Sequence, residues 1–289
     1  MAGKASALAH GAATIVNAIA LGKGAAFGVD LWTKAEVSLT SEPHVYIAEI
    51  TSDPKESTLL VEKTVQRVLE HFKSDQSFGA KIKTSSNIPI AKGLKSSSAA
   101  ANATALATTA ALGKTLEDLE LVKLGVDAAF NAKVTVTGAF DDACASFFGG
   151  VVITDNMERE IVKQLPLQQD LTVLFHVPEE KAYTANSNVD RLQTMKPLVQ
   201  VAYEQALAGH VWEALSLNGL IYSSAQGYNP QIAIDALVAG AVAAGLCGKG
   251  PAVTAVTHKN KVDVVKSALK KFGGEIIATE LNNEKAKVL

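Results

Sequence analysis

The stretch from Pro89 to Gly113 constrains the fold more than any other part of the chain. Pro89 ends a strand, because proline lacks the amide hydrogen that a sheet ladder needs. Gly93 permits a tight turn, and the serines at 96–98 then precede a long run of helix-forming alanines. The stretch therefore predicts a strand, a glycine turn and a helix whose N-terminal amides and dipole attract an anion such as phosphate. The same pattern also fits a capped, alanine-rich core helix that binds nothing.

The composition describes an ordinary globular chain of 289 residues, long enough for two domains. Its formal net charge of −2 gives no electrostatic reason for binding nucleic acid or an anionic membrane. Two cysteines, Cys144 and Cys247, are too few for a disulfide framework and fit free thiols in a reducing cytosol. Polar residues interrupt the apolar N-terminal segment, and no run approaches the roughly 20 apolar residues of a membrane span. We therefore expect a cytoplasmic protein without an export signal.

Hydrophobic periodicity predicts a mixed chain in which strands and helices alternate. Strands are expected at 3–9, 29–40, 44–50, 79–90, 151–155, 171–177 and 274–281, with another after the glycine loop that begins at 245. Helices are expected at 55–73, 115–130, 211–226, 230–244 and 261–272, besides the helix that follows Gly93. The small residues at 10–28 predict a loop region around a short apolar segment.

The serine turn carries the pattern Pro-x-x-x-Gly-Leu-x-Ser-Ser-x-Ala. Its six defined positions are Pro89, Gly93, Leu94, Ser96, Ser97 and Ala99. This pattern resembles the phosphate-binding motif of the GHMP kinases, a family of small-molecule kinases. The resemblance implies that the phosphates of ATP bind along the whole turn, formed by Pro89, Ile90, Ala91, Lys92, Gly93, Leu94, Lys95, Ser96, Ser97, Ser98 and Ala99. Lys95 stands where the family motif has a glycine, so it either adds a cation near the phosphates or reduces how closely the backbone approaches them. The chain contains neither GxxxxGK[ST] nor GxGxxG, the other common nucleotide motifs.

A second string, at 137–150, places the adjacent acids Asp141 and Asp142 between a glycine turn and a pair of glycines. Two acids in a small, apolar stretch are costly to bury unless they meet a partner or a ligand. An N-cap aspartate beside a surface aspartate is the alternative explanation. In the GHMP kinases such a segment supplies the catalytic aspartate, and the resemblance implies Asp141 first, with Asp142 as the alternative. Lys4, which follows Gly3, resembles the lysine that the family carries near the N-terminus.

A third string, at 245–252, is similar to the glycine loop of the third GHMP motif. The resemblance implies a two-layer α+β fold, with an N-terminal ribosomal-S5-like α/β domain and a C-terminal ferredoxin-like α+β domain. The polar stretch at 156–170 puts the predicted boundary between an ATP- and phosphate-binding domain, 1–158, and a ferredoxin-like domain, 159–289. The family also implies Mg²⁺ at the phosphates, with the Ser97 hydroxyl as one ligand and an acidic ligand that the sequence does not place.

The segment at 17–30, together with the string TGAFDDA at 137–143, looks most like the archaeal type of shikimate kinase. This resemblance implies transfer of the ATP γ-phosphoryl group to the 3-hydroxyl of shikimate, in the biosynthesis of aromatic amino acids. A guanidinium suits the substrate carboxylate, so Arg191 is the candidate clamp, with a helix-surface arginine as the alternative. The candidates for the hydroxyl side of the substrate are Asn17, Lys23 and Asp30.

Two other interpretations stay open. One is another GHMP small-molecule kinase that acts on homoserine or mevalonate, and the other is a non-catalytic relative that senses its ligand. The retained acid at 141 or 142 favours an enzyme. The expected partners are ATP, Mg²⁺ and a small-molecule substrate, with neither nucleic acid nor membrane, for a chain that works as a monomer or a homodimer.

Overall fold

A computed structural model of the chain describes residues 3–90, 92–135, 137–168, 170–179 and 189–289. Of the predicted site residues, Ala91 lies outside the described part. The strands are β1 (Lys4–Val16), β2 (Lys23–Thr40), β3 (Tyr46–Ile50), β4 (Gly79–Ser86), β5 (Val151–Asp155), β6 (Glu160–Leu165), β7 (Leu171–Val177), β8 (Ala243–Leu246), β9 (Val253–His258), β10 (Glu275–Glu280) and β11 (Lys287–Val288). The helices are α1 (Leu59–His71), α2 (Ser96–Ala111), α3 (Asp118–Asn131), α4 (Phe140–Phe148), α5 (Val189–Gln193), α6 (Lys196–Ala208), α7 (Val211–Gln226), α8 (Gln231–Val238) and α9 (Val262–Lys270).

The larger sheet is built on the long antiparallel hairpin of β1 and β2. Its strand order is β11-β1-β2-β4-β3, while β5 pairs with the beginning of β2 and β6 pairs with β5. Strand β3 runs parallel to β4, and α1 makes the crossover between them. Helices α2 and α4 pack on β1 and β2, and thereby stand over the centre of the sheet.

The prediction of a loop region at 10–28 is wrong, because β1 continues to Val16 and β2 already begins at Lys23. Alanine and glycine have low strand propensity by themselves. Here the small residues of the hairpin, such as Ala9 and Ala26, are fully buried in one core with the alanines of α2. Short side chains on both surfaces let the helix approach the sheet closely, so tertiary packing decides the structure of this segment.

The smaller sheet has the antiparallel strand order β10-β7-β9-β8. Helices α5–α8 connect β7 to β8, and α9 connects β9 to β10. This strand–helix–strand–strand–helix–strand order is the split βαβ arrangement of the ferredoxin-like fold. The predicted two-layer α+β class is therefore confirmed.

Strand pairing crosses the predicted domain boundary at two places. Strand β6 lies beyond residue 158 and pairs with β5, and β11 near the end of the chain pairs with β1. The larger sheet thus takes in segments from both predicted halves, and the division into 1–158 and 159–289 stays a prediction.

Contacts with helix α7 fix the turn that joins β1 to β2 and the beginning of β2. Phe27 of β2 meets Trp212 of α7 edge to face, with ring centroids 5.3 Å apart. The Tyr222 hydroxyl of α7 donates to the Asn17 carbonyl at 3.2 Å and accepts from the Ala20 amide at 3.3 Å. Helix α7 therefore holds this turn in place beside the cleft where the predicted site residues lie. Within the described ranges, no helix is long and apolar enough to cross a bilayer.

Candidate active site

The serine turn begins α2 as the sequence predicts. Helix α2 starts at Ser96, and its N-cap residue Lys95 has a φ of 64°, in the left-handed region that favours glycine. The serines at 96–98 line a cavity of about 220 Å³, which we call the large cavity. No side chain in the described part of the chain caps this helix N-terminus. The amides and the dipole are thus directed at a cavity, which favours an anion site over a capped core helix.

The turn before α2 is anchored to the second half of the chain. The Ala252 amide donates to the Lys92 carbonyl at 3.2 Å, and the Cys247 thiol donates to the Gly93 carbonyl at 3.1 Å. The Lys92 ammonium donates to the carbonyls of Pro178 at 2.6 Å and Glu179 at 2.5 Å. Both the glycine loop at 245–252 and the end of β7 therefore position the phosphate turn.

A second pocket, of about 130 Å³, adjoins the large cavity at Glu56, Ser96 and Ser97. Its walls are mostly apolar, so we call it the apolar pocket. The apolar lining includes Ile50, Leu59, Leu60, Val61 and Ala100. An apolar slot beside an anion site suits a ligand that has a flat ring joined to phosphates.

A third pocket, of about 50 Å³, adjoins the large cavity at Lys95, Asp142 and Lys249. We call it the acidic pocket, because both predicted aspartates line it. Its other polar lining residues are Thr14, Asn17, Thr135 and Thr137. Many donors and acceptors in a small volume suit a compact, hydroxyl-rich ligand.

The two aspartates occupy the first turn of α4. Both are buried, with 3% of Asp141 and 7% of Asp142 exposed, so neither is the surface acid of the alternative explanation. Asp141 Oδ1 accepts from the Asn156 amide nitrogen at 2.9 Å. Asp142 Oδ2 lies 3.0 Å from the Lys95 ammonium. The other oxygen of Asp142 is buried without a hydrogen-bond partner among the described residues, which leaves it for a ligand.

Burial and neighbouring charges shift the protonation of this cluster. Burial, and after it the charge of Asp142, raise the pKa of Asp141 to about 7, against the opposing effect of the hydrogen bond from Asn156. Burial disfavours the Lys95 ammonium, but the adjacent carboxylate of Asp142 and, to a lesser degree, Asp141 outweigh this effect and hold the pKa of Lys95 above its usual value. A protonated lysine is therefore fixed beside a buried acid pair.

The glycine loop at 245–252 completes the cleft. Gly248 has a φ of 63°, and a Cβ on it would collide with the Lys95 ammonium. The next residue, Lys249, lines both the large cavity and the acidic pocket. Burial and the charge of Lys95 lower the pKa of Lys249 to about 8, against the opposite effect of Asp142. The loop therefore makes room for one lysine and contributes a second.

Some of the site residues predicted from the sequence line the large cavity or the acidic pocket, and others do not. The predicted residues that line the large cavity are Ile90, Gly93, Lys95, Ser96, Ser97, Ser98 and Asp142. The acidic pocket is lined in addition by Asn17 and Asp141. Pro89, Lys92, Leu94 and Ala99 belong to the same turn and helix start without lining either space among the described contacts. The remaining predicted residues are Lys4, Lys23, Asp30 and Arg191, and none of them lines either space in the described part of the chain.

Strand geometry explains where these remaining residues lie. Lys4 begins β1, ten residues of extended chain before Thr14, which corresponds to roughly 33 Å. There it lines an open groove with Glu36 and Lys83 on the sheet surface. Asp30 is 60% exposed and lies 3.7 Å from the ring of His10.

The other two candidates lie near the cleft but outside its lining. The Lys23 ammonium at the beginning of β2 is 3.5 Å from Asp155, while the next residue, Gly24, packs against Asp141 so closely that a Cβ would collide with it. Arg191 is exposed on α5. Two residues later, the Gln193 side chain donates to the Ile19 carbonyl at 3.0 Å, and this bond holds α5 beside the acidic pocket.

Several residues that line or support the site were not predicted from the sequence. They are Thr14, Glu56, Thr135, Asn156 and Lys249. Only Lys249 carried a usable signal, because it lies inside the third motif. The others come from a strand, from loops and from the residue after β5, where nothing in the local pattern marks a ligand site.

The donor set around the large cavity fits a magnesium ion carried by a nucleotide. The Ser97 hydroxyl, the Glu56 carboxylate and the unpartnered oxygen of Asp142 are all hard oxygen donors at this cavity. The described residues contain no group of three or more histidine, cysteine or acidic side chains that would hold a metal by themselves. Mg²⁺ commonly takes one or two protein ligands and fills its shell with phosphate oxygens and water, which is the arrangement this site offers.

Comparison with known proteins agrees with the geometry. Residues 60–150 match the model of the GHMP kinases N terminal domain. The structure superposes on homoserine kinase from Cytophaga hutchinsonii with a TM-score of 0.74 at 18% identity, covering 100% of this chain and 98% of that one. It superposes on mevalonate kinase from Methanococcus jannaschii with a TM-score of 0.76 at 17% identity, covering 96% and 98%. Fold and site thus define a GHMP kinase.

Relatives of similar sequence indicate the branch of the GHMP kinases to which the chain belongs. A shikimate kinase from Methanococcoides burtonii is 45% identical over 280 residues, which cover 96% of both chains. Shikimate kinases from Methanosarcina acetivorans and Pyrococcus abyssi are 47% and 41% identical, over 97% and 96% of this chain and 95% and 99% of theirs. The chain belongs to the shikimate kinase family of the GHMP kinases, and it is an enzyme of that class.

Proposed function

We propose that this chain transfers the γ-phosphoryl group of ATP to the 3-hydroxyl of shikimate. The observation that carries the proposal is the position of Asp142, which borders both the large cavity and the acidic pocket and is paired with Lys95. A phosphoryl group bound in the large cavity would face an acceptor hydroxyl in the acidic pocket across this pair. The kinase family and the shikimate kinase relatives support the same reaction.

The nucleotide would occupy the large cavity and the apolar pocket. Its phosphates would lie against the α2 N-terminus and the serines at 96–98, and its base would enter the apolar pocket. Mg²⁺, held by Ser97 and Glu56, would neutralise charge on the phosphates. The residues of this chain provide the positioning, since the amides and hydroxyls of the turn are fixed before the nucleotide arrives.

The transfer itself needs a proton acceptor and a cation. The 3-oxygen of shikimate bonds to the γ-phosphorus as the bond from that phosphorus to the bridging oxygen of ADP breaks, and the hydroxyl proton passes to an aspartate. Sequence favours Asp141 for this role, whereas the pairing with Lys95 and the contact with both spaces favour Asp142. We assign the proton to Asp142 and give Asp141, whose pKa is raised to about 7, the role of a hydrogen-bonding partner of the substrate.

Substrate recognition would divide between the acidic pocket and α5. Asn17, Thr14 and Thr137 present donors and acceptors to the hydroxyls of shikimate. Arg191 on α5 is the proposed partner of the carboxylate, because α5 is held beside this pocket through Gln193. We place the reaction in the cytoplasm, where ATP is available, and we propose that the chain acts as a monomer or a homodimer.

Turnover measured with three acceptors tests the proposal. Purified protein with ATP and Mg²⁺ should release ADP when shikimate is added, and NMR of the product should show phosphate on the 3-oxygen. Homoserine and mevalonate should give no more than the background rate. Turnover with either of them at a kcat/KM equal to that for shikimate would reassign the substrate, and binding of ATP and shikimate without turnover would indicate a non-catalytic relative.

A further inference from the structure

Lys249 lies where the glycine loop of the second half meets the phosphate turn of the first. It lines both the large cavity and the acidic pocket, as do Lys95 and Asp142. The charged and titratable side chains that line these two spaces in the described part of the chain are Glu56, Lys95, Asp141, Asp142 and Lys249. Lys249 is therefore part of a small, mixed cluster at the boundary that a transferred phosphoryl group must cross.

The two lysines of this cluster differ in how their charges are compensated. Lys95 has its own carboxylate, with its ammonium 3.0 Å from Asp142 Oδ2. Lys249 has no such partner, since no ion pair within 4.0 Å joins it to an acid among the described residues. Partial burial, and after it the nearby positive charge of Lys95, disfavour its ammonium form and lower its pKa to about 8. Lys249 therefore lines the cleft as a cation that no carboxylate of the described residues holds in an ion pair.

A bound polyphosphate would supply the ion-pair partner that Lys249 lacks among the described residues. We propose that Lys249 is a second phosphate-binding lysine, which contacts the transferring phosphoryl group and takes up a proton from solvent when the nucleotide binds. This inference rests on the proposed use of ATP. The uptake is balanced: a neutral amine and one proton from the buffer become an ammonium, which donates its hydrogens to phosphate oxygens.

Calorimetric titration with a non-hydrolysable ATP analogue and Mg²⁺ tests the inference without turnover. Titrations at pH 8 in two buffers of different ionisation enthalpy give the number of protons taken up. Wild-type protein should take up about half a proton per site, because a group with a pKa near 8 is half deprotonated there. Lys249→Met should lose most of this uptake and bind the analogue about 10- to 100-fold more weakly.

Two further variants separate charge from packing. Lys249→Arg should keep most of the affinity but lose the uptake, because a guanidinium stays protonated at this pH. Lys270→Met, which removes an exposed lysine from α9, should match the wild type in both measurements. If Lys249→Met binds with wild-type affinity, or if its uptake equals that of the wild type, the inference is overturned.

The wild-type protein also provides a test that needs no variant. Its affinity for the analogue should fall steadily between pH 7 and pH 9.5, and a flat profile contradicts the inference. Shikimate turnover on the same preparation keeps the two proposals apart. Analogue binding with proton uptake but no turnover rejects only the shikimate assignment, turnover with an unaffected Lys249→Met rejects only the lysine assignment, and failure to bind nucleotide rejects both.

Discussion

The ammonium of Lys95 lies 3.0 Å from Oδ2 of Asp142, and both side chains are almost completely removed from solvent. This ion pair joins the N-terminus of α2 to the first turn of α4. The sequence offered Lys4 as the catalytic lysine and left open whether Lys95 adds a cation near the phosphates; in the structure Lys95 lines the cleft. A lysine in the left-handed conformation at this position costs backbone free energy, so its charge is the reason we infer for its presence.

We predict that Lys95→Ala lowers kcat by about 10²- to 10³-fold, because it removes a fixed cation from the charge that develops during transfer. It should also lower the free energy of unfolding by about 3 kcal/mol, because the buried Asp142 loses its partner. Steady-state kinetics and urea denaturation measure the two effects. Lys73→Ala is the matched control, since Lys73 also has a positive φ, of 53°, but is exposed at the end of α1. If the Lys95→Ala variant has the wild-type kcat, Lys95 takes no part in phosphoryl transfer.

The two aspartates should respond differently to neutralisation. We expect Asp142→Asn to reduce kcat by about 10²- to 10⁴-fold, the range for loss of a general base, while the nucleotide analogue still binds. Asp141→Asn should reduce kcat less than Asp142→Asn does, because the amide oxygen of the new side chain can still accept the hydrogen bond from Asn156. Rate measurements and analogue titrations on both variants decide the assignment. The reverse order of effects would make Asp141 the base, as the sequence first indicated.

Asp141 should also make stability depend on pH. Its carboxyl has a pKa of about 7 in the folded chain, against an ordinary value of 3.8, so the folded state binds the proton more tightly than the unfolded state. Stability therefore falls as the pH rises from about 4 to 7, and the loss is complete above the folded-state pKa. We expect Asp141→Asn to raise the free energy of unfolding at pH 8 by a few kcal/mol and to have little effect near pH 4. Denaturant titrations at the two pH values measure this difference, and an equal effect at both would reject the prediction.

The local patterns that the sequence predicted correctly are those in which chemistry and periodicity agree. The turn at Gly93 and the helix that follows have both glycine chemistry and alanine propensity in their favour, and α2 begins at Ser96. The buried strand at 171–177 and the helix at 211–226 were found with the same bounds. In these segments local preference and the final packing point the same way.

The predictions that failed depended on contacts between distant segments. The hairpin at 10–28 is a strand pair because helices pack on its small residues. The placement of Lys249 beside Lys95 depends on a loop more than 150 residues away along the chain, and no spacing rule predicts such a meeting. The sequence did not place an acidic ligand for Mg²⁺, whereas in the structure Glu56, just before α1 begins, lines the cavity together with Asp142. Tertiary position, rather than residue type, decides these sites.

Gly248 and Lys95 should be coupled through space. Gly248→Ala adds a Cβ that collides with the Lys95 ammonium, so the lysine must move away from Asp142. The variant also strains the backbone at a φ of 63° whatever residue occupies position 95. We therefore expect Gly248→Ala to lower kcat at least tenfold in the wild type but much less in the Lys95→Ala background, where the ammonium is absent.

A double-mutant cycle on kcat separates the collision from the strain, because strain acts equally in both backgrounds and cancels. Residues in direct contact typically give coupling free energies of about 0.5–3 kcal/mol. Gly227→Ala is the control for a positive-φ glycine, since a Cβ at Gly227 meets no atom within 4 Å in the described structure. It should lower stability without changing kcat. Equal effects of Gly248→Ala in both backgrounds would mean that the loop acts through the backbone alone, and that the position of Lys95 does not depend on the space that Gly248 leaves.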